Sequence, residues 1–110
     1  MIEKTVLDYL NDELTVTAYM EKPENVPSTY VLIEKAGGGM ENQIWRATLA
    51  VQSIGSTLYN AASLNDTVIE KMLDIVNHCD ISACSLNSNY NFTDTRTKEY
   101  RYQAVFNLVY

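Results

Sequence analysis

The chain has 110 residues, 46% of them apolar, which is enough for one domain with one hydrophobic core. Its 14 acidic and 8 basic side chains give a formal charge of −6, which argues against binding to the phosphate backbone of nucleic acids. We expect neither a signal peptide nor a membrane span, because acids interrupt the first apolar stretch and no run approaches the roughly 18 apolar residues that a span needs.

The N-terminal segment predicts a helix, a strand and a stiff loop. Apolar residues at three- and four-residue spacing indicate an amphipathic helix over residues 2–14. A short β-branched and aromatic run predicts a strand over residues 15–20. Pro23 and Pro27 then prevent regular strand pairing, so we expect a loop there.

Two strands separated by a glycine-rich segment are predicted next. Residues 30–35 are rich in strand-forming side chains, and they precede an alanine and three glycines at residues 36–39. Because glycine permits backbone angles that other residues avoid, we expect an exposed, mobile hairpin tip at these four residues. The partial alternation of residues 43–54 predicts a long strand that pairs with its predecessor.

The remaining residues predict helix and then strand. Residues 56–77 present one broad apolar helical face, as one helix or as two short ones broken at residues 63–66. Residues 81–86 predict a short strand, residues 87–91 a polar turn, and residues 100–110 the clearest strand of the chain. The whole order predicts an α+β fold, in which helices pack on one face of a largely antiparallel or mixed sheet of about four to five strands.

Side chains with catalytic or metal-binding potential are few. His78, Cys79 and Cys84 supply three of the four ligands of a structural zinc site, and their spacing is wrong for one. Neighbouring His and Cys residues at a helix end point in different directions, which argues against a nucleophilic pair. We therefore expect free thiols, a helix-capping histidine, no metal, no cofactor and no enzymatic activity.

Two further motifs have simpler explanations than ligand binding. The glycines at residues 37–39 lack the Lys-Ser/Thr of a phosphate-binding loop and do not form a G-x-G-x-x-G turn. The alternate asparagines of residues 87–91 resemble calcium ligands, but Phe92 replaces the required glycine and Lys98 the bidentate glutamate. The eight tyrosines suit either subunit contacts or ordinary strands, and both interpretations stay open.

Three blocks of sequence, taken together, resemble phage tail-terminator (tail-completion) proteins of Gram-positive hosts. The resemblance extends over nearly the whole chain, and its blocks are these: residues 30–39 read YVLIEKAGGG, residues 47–68 read ATLAVQSIGSTLYNAASLNDTV, and residues 90–110 read YNFTDTRTKEYRYQAVFNLVY. The most telling parts are the glycine-rich end of the first block, the strand-to-helix passage in the second and the terminal strand. The family has no catalytic signature, so the resemblance implies a role and a fold.

The role implied by this resemblance is assembly of the virion. Family members form a ring, usually a hexamer, that caps the head-proximal end of the tail tube, stops its polymerisation and offers a surface to the head-tail connector protein. The implied location is the virion tail, preceded by the host cytoplasm, and DNA passes through such a ring without specific binding. By position, the loops are the expected contacts with the tube or the connector, namely Pro23, Pro27, Gly37, Gly38, Gly39, Met40, Glu41 and Asn42.

Two other functions stay open at this stage. A head-completion or connector protein would use a similar small ring at the neighbouring position. A small ligand-binding domain or enzyme would instead have a concave pocket with converging polar groups and a perturbed pKa.

Overall fold

The computed structural model describes residues 1–110, and its elements follow the predicted order. Two helices are present, followed after the second by a short 3₁₀ helix at Ile75–Asn77. The helices are α1 (Ile2–Glu13) and α2 (Leu58–Leu73). The strands are β1 (Ala18–Tyr19), β2 (Tyr30–Glu41), β3 (Ile44–Gly55), β4 (Ala83–Asn91) and β5 (Tyr100–Val109).

The strands form one open sheet in the order β1-β2-β3-β5-β4. β1 runs parallel to β2, and every other neighbouring pair is antiparallel, so the sheet is mixed. Helix α2 packs on β3, β5 and β4, while α1 packs beside it over β1 and β2. The predicted α+β class, with helices on one face of a mixed five-stranded sheet, is confirmed. The opposite side of the sheet, which we call the open face, carries no helix.

The core lies between the helices and the sheet, and the alternation of β3 and β5 creates it. Leu49 pairs with Phe106, and both side chains are fully buried beneath the helices. At alternate positions of each strand, further apolar residues lie on this same face of the sheet. The apolar sides of the two helices pack against them. The other fully buried members include Val6, Leu10, Val31, Val51, Val68, Met72, Ile75 and Ala104.

Two local features position α2 on this sheet. Thr57 caps the helix, because its Oγ1 accepts a hydrogen bond of 3.0 Å from the backbone N–H of Asn60. Gly55 ends β3 against the first turn of α2, where a Cβ would lie 2.6 Å from the backbone nitrogen of Ala61. A side chain at this position would therefore push the helix off the end of the strand.

Some predicted bounds are wrong. β1 comprises two residues instead of the six at 15–20, and Asn11 in α1 supports it by bonding both backbone groups of Ala18, at 2.8 and 3.3 Å. Helix α2 runs unbroken through residues 63–66, which is one of the two predicted alternatives, but it ends at Leu73 instead of residue 77. Residues 87–91 are not a turn but the second half of β4, because they continue the strand pairing with β5, and their asparagine side chains are exposed on the sheet.

Candidate interaction surface

β2 and β3 extend past the helices as a two-stranded arm. All residues from 36 to 46 are exposed, and we call this segment the hairpin arm. Asn42 and Gln43 form its two-residue turn with φ of 50° and 62°, and two successive positive φ values are the mark of a type I′ turn. The arm helps to extend the molecule, which measures 44 × 25 × 25 Å.

The glycines lie in a strand and not at the hairpin tip. Residues 37–39 pair with residues 46–48 of β3, and none of the three has a positive φ. The register shifts between Lys35 and Gly37, so Ala36 is a β-bulge. The predicted glycine loop is therefore wrong, and its predicted exposure is confirmed. The turn falls at Asn42 because asparagine tolerates a left-handed backbone, which is the sequence signal that could have located it.

Apolar side chains are exposed on the hairpin arm. Met40 pairs with Trp45, and the two side chains are 54% and 47% exposed. They lie on the helical side of the sheet, because β3 residues of odd number face that side, and Trp45 lines a shallow pocket with the first residues of α1. The Trp45 ring stacks on Tyr110 with centroids 6.3 Å apart and planes tilted by 17°. The arm therefore presents a preorganised aromatic surface of the kind found in protein interfaces.

The proline loop, residues 20–29, lies at the other end of β2. Its Lys22 Nζ lies 3.3 Å from Glu99 Oε2 in the segment before β5, which ties two loops together. The Tyr30 side chain lies near both groups, and its burial raises the pKa of the phenol. The predicted contact residues thus form two groups, with Pro23 and Pro27 at one end of β2 and the tip of the arm at the other, and β2 spans about 36 Å at the usual rise per residue.

The open face carries a lattice of polar side chains. Gln52 Nε2 donates to Gln103 Oε1 at 3.1 Å, and Gln103 donates in turn to the Tyr90 hydroxyl on β4. One step toward the arm, Thr48 Oγ1 donates to Asn107 Oδ1 at 3.1 Å. These hydrogen bonds join three adjacent strands and run from the buried Gln52 to the exposed Tyr90, so the side chains are held in place.

An aromatic and arginine cluster lies where this face meets the β4 edge. Tyr90 and Phe92 pack edge to face with centroids 5.9 Å apart, and the Arg101 guanidinium lies 5.0 Å above the Phe92 ring. Arg101 Nε also donates to the Phe92 carbonyl at 2.9 Å. Tyrosine and arginine are enriched in interface hot spots, and here Tyr90 and Phe92 are exposed while the half-buried Arg101 holds Phe92 in place.

Charge is divided unequally between the layers. The helical layer, taken as residues 1–14 and 56–82, carries eight acidic and two basic side chains. The sheet and its loops carry six of each. The whole net charge of −6 therefore resides on the helices, and the sheet is neutral. Identical copies repel one another when their helical layers meet and are free of net repulsion when their sheets meet.

His78, Cys79 and Cys84 are not part of any group of three or more side chains that could hold a metal ion. His78 is the C-cap residue of the 3₁₀ helix, as predicted, and its Nε2 lies 2.8 Å from Asp74 Oδ2 on the surface. Hydrogen bonds from Asn77 and His78 hold the pKa of Asp74 below its usual value. Burial raises the pKa of Cys84 to about 11 and raises that of Cys79, so both remain protonated free thiols near pH 7.

No protein-family model matches this chain, and no curated protein matches it either. No helix of the structure combines the length and the apolar character needed to cross a membrane.

Proposed function

We propose that the chain is a structural subunit of a phage tail, which closes into a ring on the head-proximal end of the tail tube, stops tube polymerisation and provides the head-joining surface. The observation that carries this proposal is the separation of two exposed contact regions. The hairpin arm and the proline loop lie at opposite ends of β2. A ring held between two partners needs one contact region on each of its faces, and this arrangement supplies both.

The dimensions of the subunit suit such a ring. Six copies that are each 25 Å wide enclose a mean circumference of about 150 Å, which leaves a pore of roughly 23 Å when the wall is one subunit thick. A duplex of DNA fits a pore of this size. The excess of acidic side chains on the chain repels phosphate, so DNA would pass without being held.

The resemblance to tail terminators adds to this argument, because its three blocks fall on the parts of the fold that build the sheet. The first block is β2 up to the bulged arm, the second is β3 with the start of α2, and the third ends in β5. The sheet, its arm and its junction with α2 are therefore the shared elements. On this proposal the protein resides in the assembled tail and, before that, in the host cytoplasm.

The test is assembly with the tail-tube protein of the same phage. We expect light scattering to give the mass of a ring for the chain alone or for the chain added to tube ends, and added chain to halt tube growth. A variant that carries Met40→Ser and Trp45→Ser removes the apolar arm surface while leaving the fully buried core residues unchanged, and we expect it to lose the ability to stop tube growth. Binding to portal or connector but not to tubes would assign the chain to the head-completion position. Indifference to both would refute an assembly role.

A further inference from the structure

β4 is an edge strand that lacks the usual protection. It hydrogen-bonds to β5 on one side only, and its backbone makes no hydrogen bond on the other. Its nine residues include no charged side chain and no proline, although native edge strands normally carry such groups to prevent pairing with other chains. The single protective feature is a bulge between Leu86 and Ser88, which leaves residues 83–86 as a regular free edge.

The opposite edge of the sheet has a free segment of matching length. β1 covers β2 only at Val31 and Leu32, so the outer side of β2 is unpaired from there to the turn. The bulge at Ala36 leaves residues 38–41 as its regular end. β4 runs opposite to β2 within the sheet, because three antiparallel pairs separate them. A neighbouring copy rotated about an axis along the strands therefore presents its β2 antiparallel to β4.

We propose that residues 83–86 of one copy pair antiparallel with residues 38–41 of the next, so that the sheet continues from subunit to subunit. This proposal rests on the ring of the proposed function and names the contact that closes it. The edges are different parts of the chain, so the contact is heterologous and propagates around a ring. The strands then run along the ring axis, which places the hairpin arm on one face and the proline loop on the other.

The side chains of the two edges are complementary in this arrangement. Met40 and Trp45 lie on the helical side of the arm, and Cys84 and Leu86 lie on the helical side of β4, because they pair with Leu108 and Phe106. Met40, Trp45 and Leu86 are 54%, 47% and 40% exposed in the single chain. Pairing of Glu41 with Ala83 brings these apolar groups together across the contact. The contact also joins the sheets, which carry no net charge.

Cysteine cross-linking tests the contact directly. In a Cys79→Ser/Cys84→Ser background, Glu41→Cys and Ala83→Cys place one thiol on each edge, both on the open face. With a short bifunctional thiol reagent we expect the double variant to give a ladder of covalent species up to the ring size. Each single variant has one thiol per copy and should remain monomeric on a denaturing gel. Efficient dimers from Ala83→Cys alone would instead show β4 pairing with β4 and overturn the proposal.

A charged edge provides the second measurement. Ser85→Lys introduces on β4 the side chain that natural edge strands use to block pairing, and we expect it to weaken self-association by about tenfold or more. Tyr59→Lys, at a residue that is 79% exposed on α2, introduces the same charge on the helical layer and should leave the mass unchanged. The edge contact is refuted, and tail termination stands, if the wild-type chain forms a ring while the double-cysteine variant gives no ladder and Ser85→Lys leaves the mass unchanged. Rings that cross-link as expected but do not halt tube growth would support the edge contact and refute tail termination.

Discussion

The two halves of the β2–β3 hairpin differ although the same two strands run through both. In the near half, residues 30–33 and 49–55, almost every residue is buried under the helices or the loops. In the hairpin arm every residue is exposed. The near half is stabilised by apolar burial, whereas the arm depends on its turn, its backbone pairing and one aromatic stack. Exposed apolar groups on a segment that the core does not need indicate a role in recognition.

Truncation of large side chains should separate the halves most clearly. Leu49 and Trp45 lie on the same face of β3, four residues apart, but Leu49 is fully buried and Trp45 is 47% exposed. We expect Leu49→Ala to lower the free energy of unfolding by about 2–5 kcal/mol, since it leaves a cavity in the core. Trp45→Ala should cost about 1 kcal/mol, mostly from the lost contact with Tyr110. Equal losses in urea unfolding would show that the arm belongs to the core.

Two glycines offer a matched pair, one in each half. Gly55→Ala places a Cβ 2.6 Å from the backbone of Ala61, and we expect a loss of about 1–3 kcal/mol because the helix must move. Gly39→Ala meets nothing within 4 Å and has no positive φ, so it should be neutral or stabilise by up to about 1 kcal/mol. Thermal unfolding of both variants checks this prediction. A destabilising Gly39→Ala would mean that the arm is packed more closely than the single chain indicates.

The sequence predicts the near half better than the arm, for physical reasons. Burial imposes a period of two on β3 and β5 and a helical period on α2, so these elements are readable from residue pattern alone. Residues 36–39 and 87–91 were predicted as turns because glycine and asparagine favour turns, whereas strand pairing with β3 and β5 decides their structure. The turn at Asn42 follows from that register, and the asparagine itself is the one local signal for it. The β4 edge was missed because it too depends on strand pairing.

The turn itself should respond to a smaller change. Gln43 has a φ of 62°, and a left-handed backbone costs a residue with a Cβ roughly 1–2 kcal/mol relative to glycine. We expect Gln43→Gly to stabilise the hairpin by about 1 kcal/mol and to slow hydrogen exchange in the arm more than in the near half. Asn42→Gly should gain less, because asparagine already tolerates this conformation. Faster exchange in the arm of Gln43→Gly would contradict the assigned turn.

The smallest effect is expected in the helical layer that covers the near half, at Asp74. Hydrogen bonds from Asn77, 2.7 Å away, and from His78 lower the pKa of this carboxyl group below its ordinary value of 3.8. The folded state therefore binds the proton less tightly than the unfolded state, so the stabilisation is present above pH 3.8 and disappears as the pH falls through the lower, folded pKa. We expect Asp74→Asn to lower the urea midpoint slightly near pH 7 and to match wild type at low pH. Asp66→Asn, at an exposed acid of α2 that makes no hydrogen bond, is the control. A urea midpoint of Asp74→Asn that stays below that of wild type at low pH would contradict this prediction. It would show that the side chain of Asp74 stabilises the fold through its packing contacts, as core residues do, and not through its charge.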